Sequence, residues 1–283
     1  MAGGEGRAES TWTAVIWNLD EARGSKERSW EVLSGFDADV ALLSEARIPP
    51  GVEPIAHGKT IGRDCRHERE EDCRGRPWST AIVSRHELRE AKDAKASRHG
   101  KPLDIPFTPS RPGTWIAASV SIPDVEDVTV VSLYGLTDEK SDASVHRSLS
   151  DLEPIFEDTD YNARLLLGGD LNIFANPRPD DPVRERHLLV LERIKAYGLV
   201  DLFERDLMQR DPRRGGLKDC PCQNENCLHT WTFRSRKKSL ADIPYQDDHV
   251  FASPALAEQL KSCEAADFVD ASDHAPIVAI FWA

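Results

Sequence analysis

Residues 163–177 read ARLLLGGDLNIFANP, and this stretch decides how the rest of the chain is interpreted. Three leucines and two glycines lead into Asp170, and Asn172 follows after one apolar residue. A strand followed by a polar turn gives this pattern in any α/β protein. The pattern also fits a strand that carries two functional side chains to the edge of a pocket, since residues two apart on an extended chain point the same way. Further candidate site residues elsewhere in the chain are needed to decide between the two interpretations.

Strand and helix patterns alternate along the whole sequence. Strand-like or short apolar runs occupy residues 11–19, 39–46, 78–84, 114–122, 127–135, 163–172, 229–233, 247–253 and 276–282. Helical patterns occupy residues 25–36, 142–157, 182–198 and 254–261. We expect a disordered lead-in over 1–10 and polar insertions at about 62–77 and 208–228. The sequence therefore predicts a single α/β domain over residues 11–283.

Several of these runs end in acidic, amide or other polar residues. The residues are Asn18 and Asp20, Glu45, Tyr134, Asp170 and Asn172, Asp248, and Asp273 with His274. Any one of them is simply explained as a cap or a turn residue. Strand ends and the loops after them are, however, where α/β proteins build their sites. Their arrival from segments spread over the chain predicts one common site.

Composition restricts the functional classes. No run approaches the roughly 18 apolar residues of a membrane span. The first residues lack the basic and apolar blocks of a secretory signal, so we expect a cytoplasmic protein. The net charge of −13 opposes nucleic-acid binding. Residues 210–238, however, hold eight basic and three acidic residues, which gives +5 there and −18 for the rest.

Seven segments, taken together and in order, resemble the endonuclease/exonuclease/phosphatase superfamily of magnesium-dependent phosphoesterases. They are WNLDEAR (17–23), LLSEAR (42–47), SLYG (132–135), GGDLN (168–172), HTWTF (229–233), QDDHVF (246–251) and SDHAPI (272–277). GDLN alone is moderately specific and SDH alone is weak, but the ordered set covers nearly the entire chain. The resemblance implies two packed mixed β-sheets flanked by helices, a four-layer α/β/β/α sandwich.

The resemblance also implies a metal site. Phosphate-ester hydrolysis needs a hard cation, an activated water and stabilisation of transition-state charge. Mg²⁺ prefers oxygen ligands and keeps several waters, so a few carboxylates suffice. Glu45, Asp20 and Asp273 are the candidate ligands for Mg²⁺ or Mn²⁺.

Three further residues have implied roles in proton chemistry. His274 is expected to contact the scissile phosphate, and Asp248 to orient its imidazole. Asp170 is expected to position or deprotonate the attacking water. Two alternatives stay open: the general base is either Asp170 or His274, and Asp247 competes with Asp248 for the orienting role.

Hydrogen-bond donors and basic side chains complete the predicted site. Neutral donors to phosphate oxygens are Asn172, Asn18 and Tyr134. The basic residues that follow the HTWTF segment are expected to rim the substrate groove and contact phosphates. These are Arg234, Arg236, Lys237 and Lys238.

Residues 220–229, CPCQNENCLH, form a second candidate metal site. Its ligands are Cys220, Cys222, Cys227 and His229. Three thiolates and an imidazole suffice for tetrahedral structural zinc, separate from the catalytic metal, although the spacing is not that of a standard finger. Cys65 and Cys73 are alternative contributors, and free thiols or a disulfide are the other interpretations.

The sequence favours a Mg²⁺-dependent nuclease that hydrolyses phosphodiester bonds of DNA, or RNA, by metal-assisted in-line attack of water. The WNLD segment and the basic rim support this choice. The alternatives are a phosphomonoesterase or a lipid or small-head-group phosphodiesterase, for which the acidic composition is less unfavourable. A catalytically silent binding module is a third possibility, against which the complete set of site residues argues.

Overall fold

The computed structural model describes residues 10–20, 26–47, 59–62, 79–91, 94, 97–98, 101–102, 107–137, 140–210, 217–237 and 239–283. The strands are β1 (Thr11–Asn18), β2 (Val40–Ala46), β3 (Lys59–Gly62), β4 (Ser79–Ser84), β5 (Glu87–Glu90), β6 (Ser97–Arg98), β7 (Lys101–Pro102), β8 (Trp115–Ser121), β9 (Val128–Leu133), β10 (Leu165–Asp170), β11 (Val200–Asp201), β12 (Asp248–Ala252), β13 (Leu260–Ala265) and β14 (Ile277–Trp282). The helices are α1 (Lys26–Ser34), α2 (Ser141–Asp151), α3 (Glu153–Glu157), α4 (Thr159–Asn162), α5 (Arg184–Ala196), α6 (Leu202–Arg210) and α7 (Pro254–Glu258).

Two mixed sheets pack face to face. In the part of the chain that is described, the first sheet has the order β13-β14-β1-β2-β4-β3 and the second has β11-β12-β10-β9-β8-β5, while β6 and β7 pair separately. The alternation along β1 shows how one strand serves two layers. Trp12, Ala14 and Ile16 are buried between the sheets, whereas Val15 and Trp17 are buried on the opposite face. This is the period-two pattern of a strand that is covered on both faces.

Helices cover the two outer faces. On the first sheet, Trp30 and Leu33 of α1 join the outer cluster of β1, β2 and β4. On the second sheet, α2, α3 and α5 cover β9 and β10, with Leu149, Ile155 and Val190 fully buried. The predicted fold class, a four-layer α/β/β/α sandwich, is confirmed.

Strand direction brings the functional segments to one edge. β1 and β2 are parallel, with Asn18 opposite Ser44, and β9 and β10 are parallel neighbours in the second sheet. β12 runs antiparallel to β10, so that Asp248 at its start lies opposite Asp170. β14 is antiparallel to β1, which brings the residues before β14 to the same edge.

Two glycines let the backbone pack closely where β10 ends. A Cβ on Gly169, whose φ is +150°, would lie 1.9 Å from the carbonyl oxygen of Leu133 on β9. A Cβ on Gly135, just after β9, would lie 1.8 Å from the carbonyl oxygen of Leu171. Any side chain at either position would push the two strand ends apart. The GGD and YG segments therefore hold the ends of β9 and β10 in contact.

Near the chain's C-terminal third, one predicted strand is wrong and one predicted helix is shorter than expected. Residues 229–233 form no strand, and only Phe233 makes isolated bridges. The amide of Thr230 instead donates to the Gln246 side chain. Hydrogen bonds to side chains therefore replace the backbone hydrogen bonds of a strand pair. The predicted helix over 254–261 ends at Glu258, and β13 follows. A bulge in β13 turns both Leu260 and Cys263 into the core.

Other boundaries differ by less. The predicted helix over 142–157 is two helices, α2 and α3, because Pro154 begins a new helix after Leu152. The predicted insertion at 208–228 begins with the last turn of α6. Residues 1–9 of the lead-in, residues 63–77 of the first insertion with Cys65 and Cys73, residues 211–216 of the second insertion, and Lys238 lie outside the described residues. No helix in the described ranges is long and apolar enough to cross a membrane.

A buried aspartate outside the strand-end edge gives a pH-dependent stability. Asp201 Oδ1 accepts the amides of Phe203 and Glu204 at the start of α6, at 2.9 and 3.2 Å. Burial, assisted by the charge of Glu204, raises the pKa of Asp201 to about 7. A raised folded pKa contributes stability that is complete below the unfolded pKa of about 4 and is lost as the pH rises through about 7.

We expect Asp201→Asn to remove this dependence while keeping an acceptor for the cap. The free energy of unfolding of the variant, relative to wild type, should increase by up to ~3 kcal/mol between pH 5 and pH 8. Urea denaturation at the two pH values, in EDTA, measures this difference. A difference that does not change with pH would contradict the raised pKa.

Candidate active site

Asp170, the last residue of β10, is the buried centre of the strand-end edge. Its Oδ2 accepts hydrogen bonds from Asn18 Nδ2 at 2.7 Å and from Asn172 Nδ2 at 3.1 Å. Its Oδ1 accepts the Asn172 amide at 2.8 Å, and its own amide donates to Ser44 Oγ. Donors from both sheets therefore fix one carboxylate that is only 1% exposed.

His274 lies against this carboxylate and pairs with Asp248. His274 Nδ1 is 2.9 Å from Asp248 Oδ2. On the other side of the ring, Nε2 is 4.0 Å from Asp170 Oδ2 and 3.8 Å from Asp273 Oδ1. The Trp17 indole donates to the His274 carbonyl at 2.9 Å. The structure thus brings the predicted imidazole, its orienting carboxylate and the predicted water-positioning acid together.

Burial and mutual charge shift the pKa values of these groups. Burial raises the pKa of Asp170 to about 7, with His274 opposing this shift and Asp248 adding to it. Burial lowers the pKa of His274, but the carboxylates of Asp248 and Asp170 outweigh this effect and hold it well above its ordinary value. The site therefore combines a protonated imidazole with a carboxyl that titrates near neutrality.

Asp247, the alternative orienting residue, is also buried but does not contact His274. Both the Asp247 and Asp248 amides donate to Thr232 Oγ1 at 3.0 Å. Burial, followed by the charge of Asp170, raises the pKa of Asp247 well above its ordinary value. Among the described residues, Oδ1 of Asp247 and Oδ1 of Asp248 have no hydrogen-bond partner. The contact with the imidazole belongs to Asp248.

The three candidate metal ligands lie in two places. Arg236 joins two of them: its guanidinium pairs with Asp20 and with Asp273, the latter at 2.8 Å from Nε. Glu45 Oε1 instead accepts a hydrogen bond from Tyr134 Oη at 2.9 Å. Within the described ranges, the ligand atoms of these three acids do not gather within 4.8 Å, whereas those of Asp170, Asp248 and His274 do.

The donor set fits a hard divalent cation. Carboxylate oxygens dominate the edge. Two of them, from Asp20 and Asp273, already bind one positive charge between them, the Arg236 guanidinium. Oδ1 of Asp248 is a further acceptor, and no group in the described part of the chain donates a hydrogen bond to it. Mg²⁺ and Mn²⁺ take such oxygen ligands and complete their shells with water.

Three of the candidate residues have left-handed backbones. The φ angles are 48° for Asp20, 48° for Glu45 and 52° for Asn172. Such angles are uncommon outside glycine, and they concentrate at functional sites because the surrounding structure must hold them. At Asn172 the holding contacts are visible: its Nδ2 donates to the Gly135 carbonyl at 2.8 Å as well as to Asp170. Asn18 Oδ1 similarly accepts the Asp20 amide.

The basic segment after residue 233 borders the site. The Arg234 guanidinium lies 4.5 Å from the Phe268 ring centroid and 5.4 Å from that of Trp231. Lys237 is exposed. An open cavity of about 550 Å³ lies between this segment and Asp273. Of the four predicted rim residues, the three that the structure describes are Arg234, Arg236 and Lys237.

Sequence reasoning missed the polar residues that orient the predicted ones. Ser272 Oγ donates to the Asn18 carbonyl at 2.7 Å and accepts the His274 amide at 3.0 Å. Thr232 performs the equivalent task for Asp248, and Ser44 for Asp170. Each lies within a segment that the family resemblance singles out, but its residue type is too common to be noticed alone.

No protein-family model matches the sequence, and no curated protein is significantly similar to it. Solved structures are similar. An AP endonuclease from Leishmania major has 16% identity and a TM-score of 0.66, covering 96% of this chain and 88% of that chain. A 3′ phosphatase from Neisseria, bound to a product DNA hairpin, has 19% identity and a TM-score of 0.62, covering 95% and 99%. An endonuclease/exonuclease/phosphatase from Beutenbergia cavernae has 19% identity and a TM-score of 0.58, covering 96% and 71%.

These similarities establish a fold class. The chain has the fold of the endonuclease/exonuclease/phosphatase superfamily, over nearly its entire length. The resemblance that the sequence motifs indicate is therefore confirmed at the level of the fold.

Proposed function

We propose that this protein is a divalent-metal-dependent phosphoric ester hydrolase, and specifically a nuclease that cleaves phosphodiester bonds. One observation carries the proposal: the buried His274–Asp248 pair faces Asp170 across 4.0 Å at a common strand-end edge lined by further carboxylates. An ion pair with only a structural role would not require the additional carboxylates or the residues with left-handed backbones beside it.

Asp170 is proposed to be the general base. A base works best when its pKa is near the operating pH, and the pKa of Asp170 is about 7. The donors from Asn18 and Asn172 hold its carboxylate in one orientation, so that it can align the attacking water and accept its proton. Asn172 is proposed to orient Asp170 and not to bind phosphate directly, because Asp170 and Gly135 use both of its Nδ2 hydrogens.

His274 is proposed to stabilise charge on the phosphoryl group. Asp248 holds Nδ1 and raises the pKa of the ring, which keeps Nε2 protonated. An Nε2–H donor beside Asp170 suits a hydrogen bond to a phosphoryl oxygen whose charge grows in the transition state. Asn18, which uses one Nδ2 hydrogen on Asp170, is proposed as a neutral donor beside it, and Tyr134 is proposed as a second once its hydroxyl leaves Glu45.

Asp20 and Asp273, which share the Arg236 guanidinium, are proposed to hold Mg²⁺ or Mn²⁺, with Glu45 as a third ligand once it leaves its hydrogen bond with Tyr134. When bound, the metal ion supplies polarisation of a phosphoryl oxygen and compensation of developing negative charge. Arg236 then has to release Asp20 and Asp273, which frees its guanidinium for the substrate at the rim.

Two observations favour nucleic acid as the substrate. The basic segment lies beside the site although the chain as a whole carries −13, and the similar Neisseria phosphatase is bound to a product DNA hairpin. The acidic composition and that same phosphatase also support a second candidate, a phosphomonoesterase. Supercoiled plasmid, single-stranded DNA, RNA and a small phosphomonoester, each with Mg²⁺ or EDTA, separate the candidates. Metal-dependent nicking supports the nuclease, and phosphate release from the small ester alone would rule it out.

Lys237 provides a test of the basic rim. Lys237→Ala is expected to raise the KM for DNA a few-fold at physiological salt and to reduce the slope of log KM against log salt by about 1, because one phosphate contact is lost. The kcat should be unchanged. Lys261→Ala on the edge strand β13 removes the same charge elsewhere and should leave both values unaffected. Equal effects of the two substitutions would contradict a local rim.

A further inference from the structure

The segment over residues 217–233 contains a second cluster of metal-ligating side chains, separate from the carboxylate edge. One ligand atom from each of Cys220, Cys222, Cys227 and His229 lies within 4.8 Å of the others. Cys220 Sγ is 3.4 Å from Cys222 Sγ and 3.5 Å from His229 Nδ1. Three sulfurs and one imidazole nitrogen therefore converge on one point.

These separations match the shell of one tetrahedral ion. Bonds of about 2.3 Å to sulfur and about 2.0 Å to nitrogen, at the tetrahedral angle, put two sulfurs about 3.8 Å apart and a sulfur and a nitrogen about 3.5 Å apart. A disulfide requires about 2.05 Å between sulfurs, much shorter than the 3.4 Å between Cys220 and Cys222. Soft thiolates with one imidazole select zinc over the hard cations that suit the carboxylate edge.

The segment needs such a centre for its own order. Residues 217–232 have no helix or strand, and their backbone is folded by tight turns such as those closed by Cys220, Gln223 and Cys227. Gln223 has a left-handed backbone, with φ of 59°. A loop of this length has little apolar burial to offset its conformational entropy, and metal binding supplies that free energy directly.

Hydrogen bonds connect the cluster to the active-site strand. The buried Asn176 donates to Cys220 Sγ at 3.4 Å and to the Pro244 carbonyl at 2.6 Å, and it accepts the Gln246 amide at 3.0 Å. The Gln246 side chain accepts the Thr230 amide at 2.8 Å. Two residues later, Thr232 accepts the amides at the start of β12.

We propose that Cys220, Cys222, Cys227 and His229 bind one structural zinc ion, which fixes residues 217–233 against the residues leading into β12. The ion takes no part in hydrolysis. Through Asn176, Gln246 and Thr232 it stabilises the segment that carries Asp248 to His274. The metal site does not depend on the proposed phosphoesterase function, because its ligands and its measurements are separate.

Metal analysis of the purified full-length protein tests the proposal. Protein purified without chelators is expected to contain about one equivalent of zinc. The double variant Cys220→Ser/Cys227→Ser is expected to contain less than about a tenth of that, and Cys263→Ala, which removes a core cysteine on β13, to contain the full amount. Protein refilled with Co²⁺ should show the intense visible bands and near-ultraviolet charge-transfer band of tetrahedral cobalt thiolate. The double variant should lack both.

Hydrogen exchange tests the positioning role without using activity. Removal of zinc by a chelator is expected to speed amide exchange in residues 217–233 and at Asp247 and Asp248 by about tenfold or more, with β1 unaffected. Zinc-free protein with reduced thiols, a disulfide found by mass, or a cobalt spectrum that persists in the double variant would overturn the site. Unchanged exchange on zinc removal would overturn the positioning role.

Discussion

Asp170→Asn is expected to lower the kcat for phosphodiester hydrolysis by about 10³-fold, with little change in KM. Asparagine preserves the size of the side chain but cannot accept a proton from water. The substitution also gives Asn18 and Asn172 a neutral partner in place of the carboxylate that accepts their hydrogen bonds. The loss therefore falls on the chemical step rather than on substrate binding. Steady-state cleavage of a labelled oligonucleotide duplex at saturating Mg²⁺ measures both constants.

The matched control is Asp201→Asn. Asp201 is also buried, and the pKa of its carboxyl is also raised to about 7, but it caps α6 instead of lying at the strand-end edge. Its substitution should leave kcat within about twofold of wild type. If both variants lose activity equally, the effect of Asp170→Asn comes from removing a buried charge and not from lost catalysis.

His274→Gln is expected to lower kcat by about 10²–10³-fold, because the charged donor aimed between Asp170 and Asp273 is lost. Asp248→Asn should have a smaller effect of about 10²-fold, since the imidazole remains but its charge is less favoured. The pH profile identifies Asp248 as a positioning residue. Its carboxylate raises the pKa of His274, so Asp248→Asn should shift the alkaline limb of the kcat profile to lower pH.

A second histidine–aspartate pair supplies the control for this prediction. His86 Nε2 lies 2.7 Å from Asp39 Oδ1, next to the start of β5. His86→Gln removes a histidine–aspartate contact of similar length and should leave kcat and the pH profile unchanged. An alkaline limb that stays in place in Asp248→Asn would contradict the role assigned to the pair.

The layers of the fold, and the common edge at which most of the candidate site residues lie, could be predicted from the sequence for a physical reason. The alternation in TWTAVIWN and the apolar run in LLLGGD report burial on both faces of a strand, which is a local property of the sequence. Parallel strands end at the same edge, so polar residues after Asn18, Leu133 and Gly169 had to lie close together.

What the sequence did not predict depends on contacts between distant segments. The predictions leave out β13, because its apolar residues do not alternate strictly: a bulge, which follows from pairing with β14, turns both Leu260 and Cys263 into the core. The Arg236 guanidinium brings Asp20, near the start of the chain, together with Asp273, and both partners of Asp20 lie more than 200 positions after it. Thr232 and Ser272 were missed because a hydroxyl gains its role only from the amides that happen to face it.

The most direct test of the central claim is a Mg²⁺ titration of plasmid nicking with wild type, Asp170→Asn and Asp201→Asn side by side. If the strand-end edge is a metal-dependent phosphoesterase site, wild type and Asp201→Asn will give the same saturable Mg²⁺ dependence, and Asp170→Asn will be reduced by about 10³-fold at every concentration. EDTA will abolish nicking in all three. Nicking that persists in EDTA, or that survives Asp170→Asn at the wild-type rate, would contradict the claim.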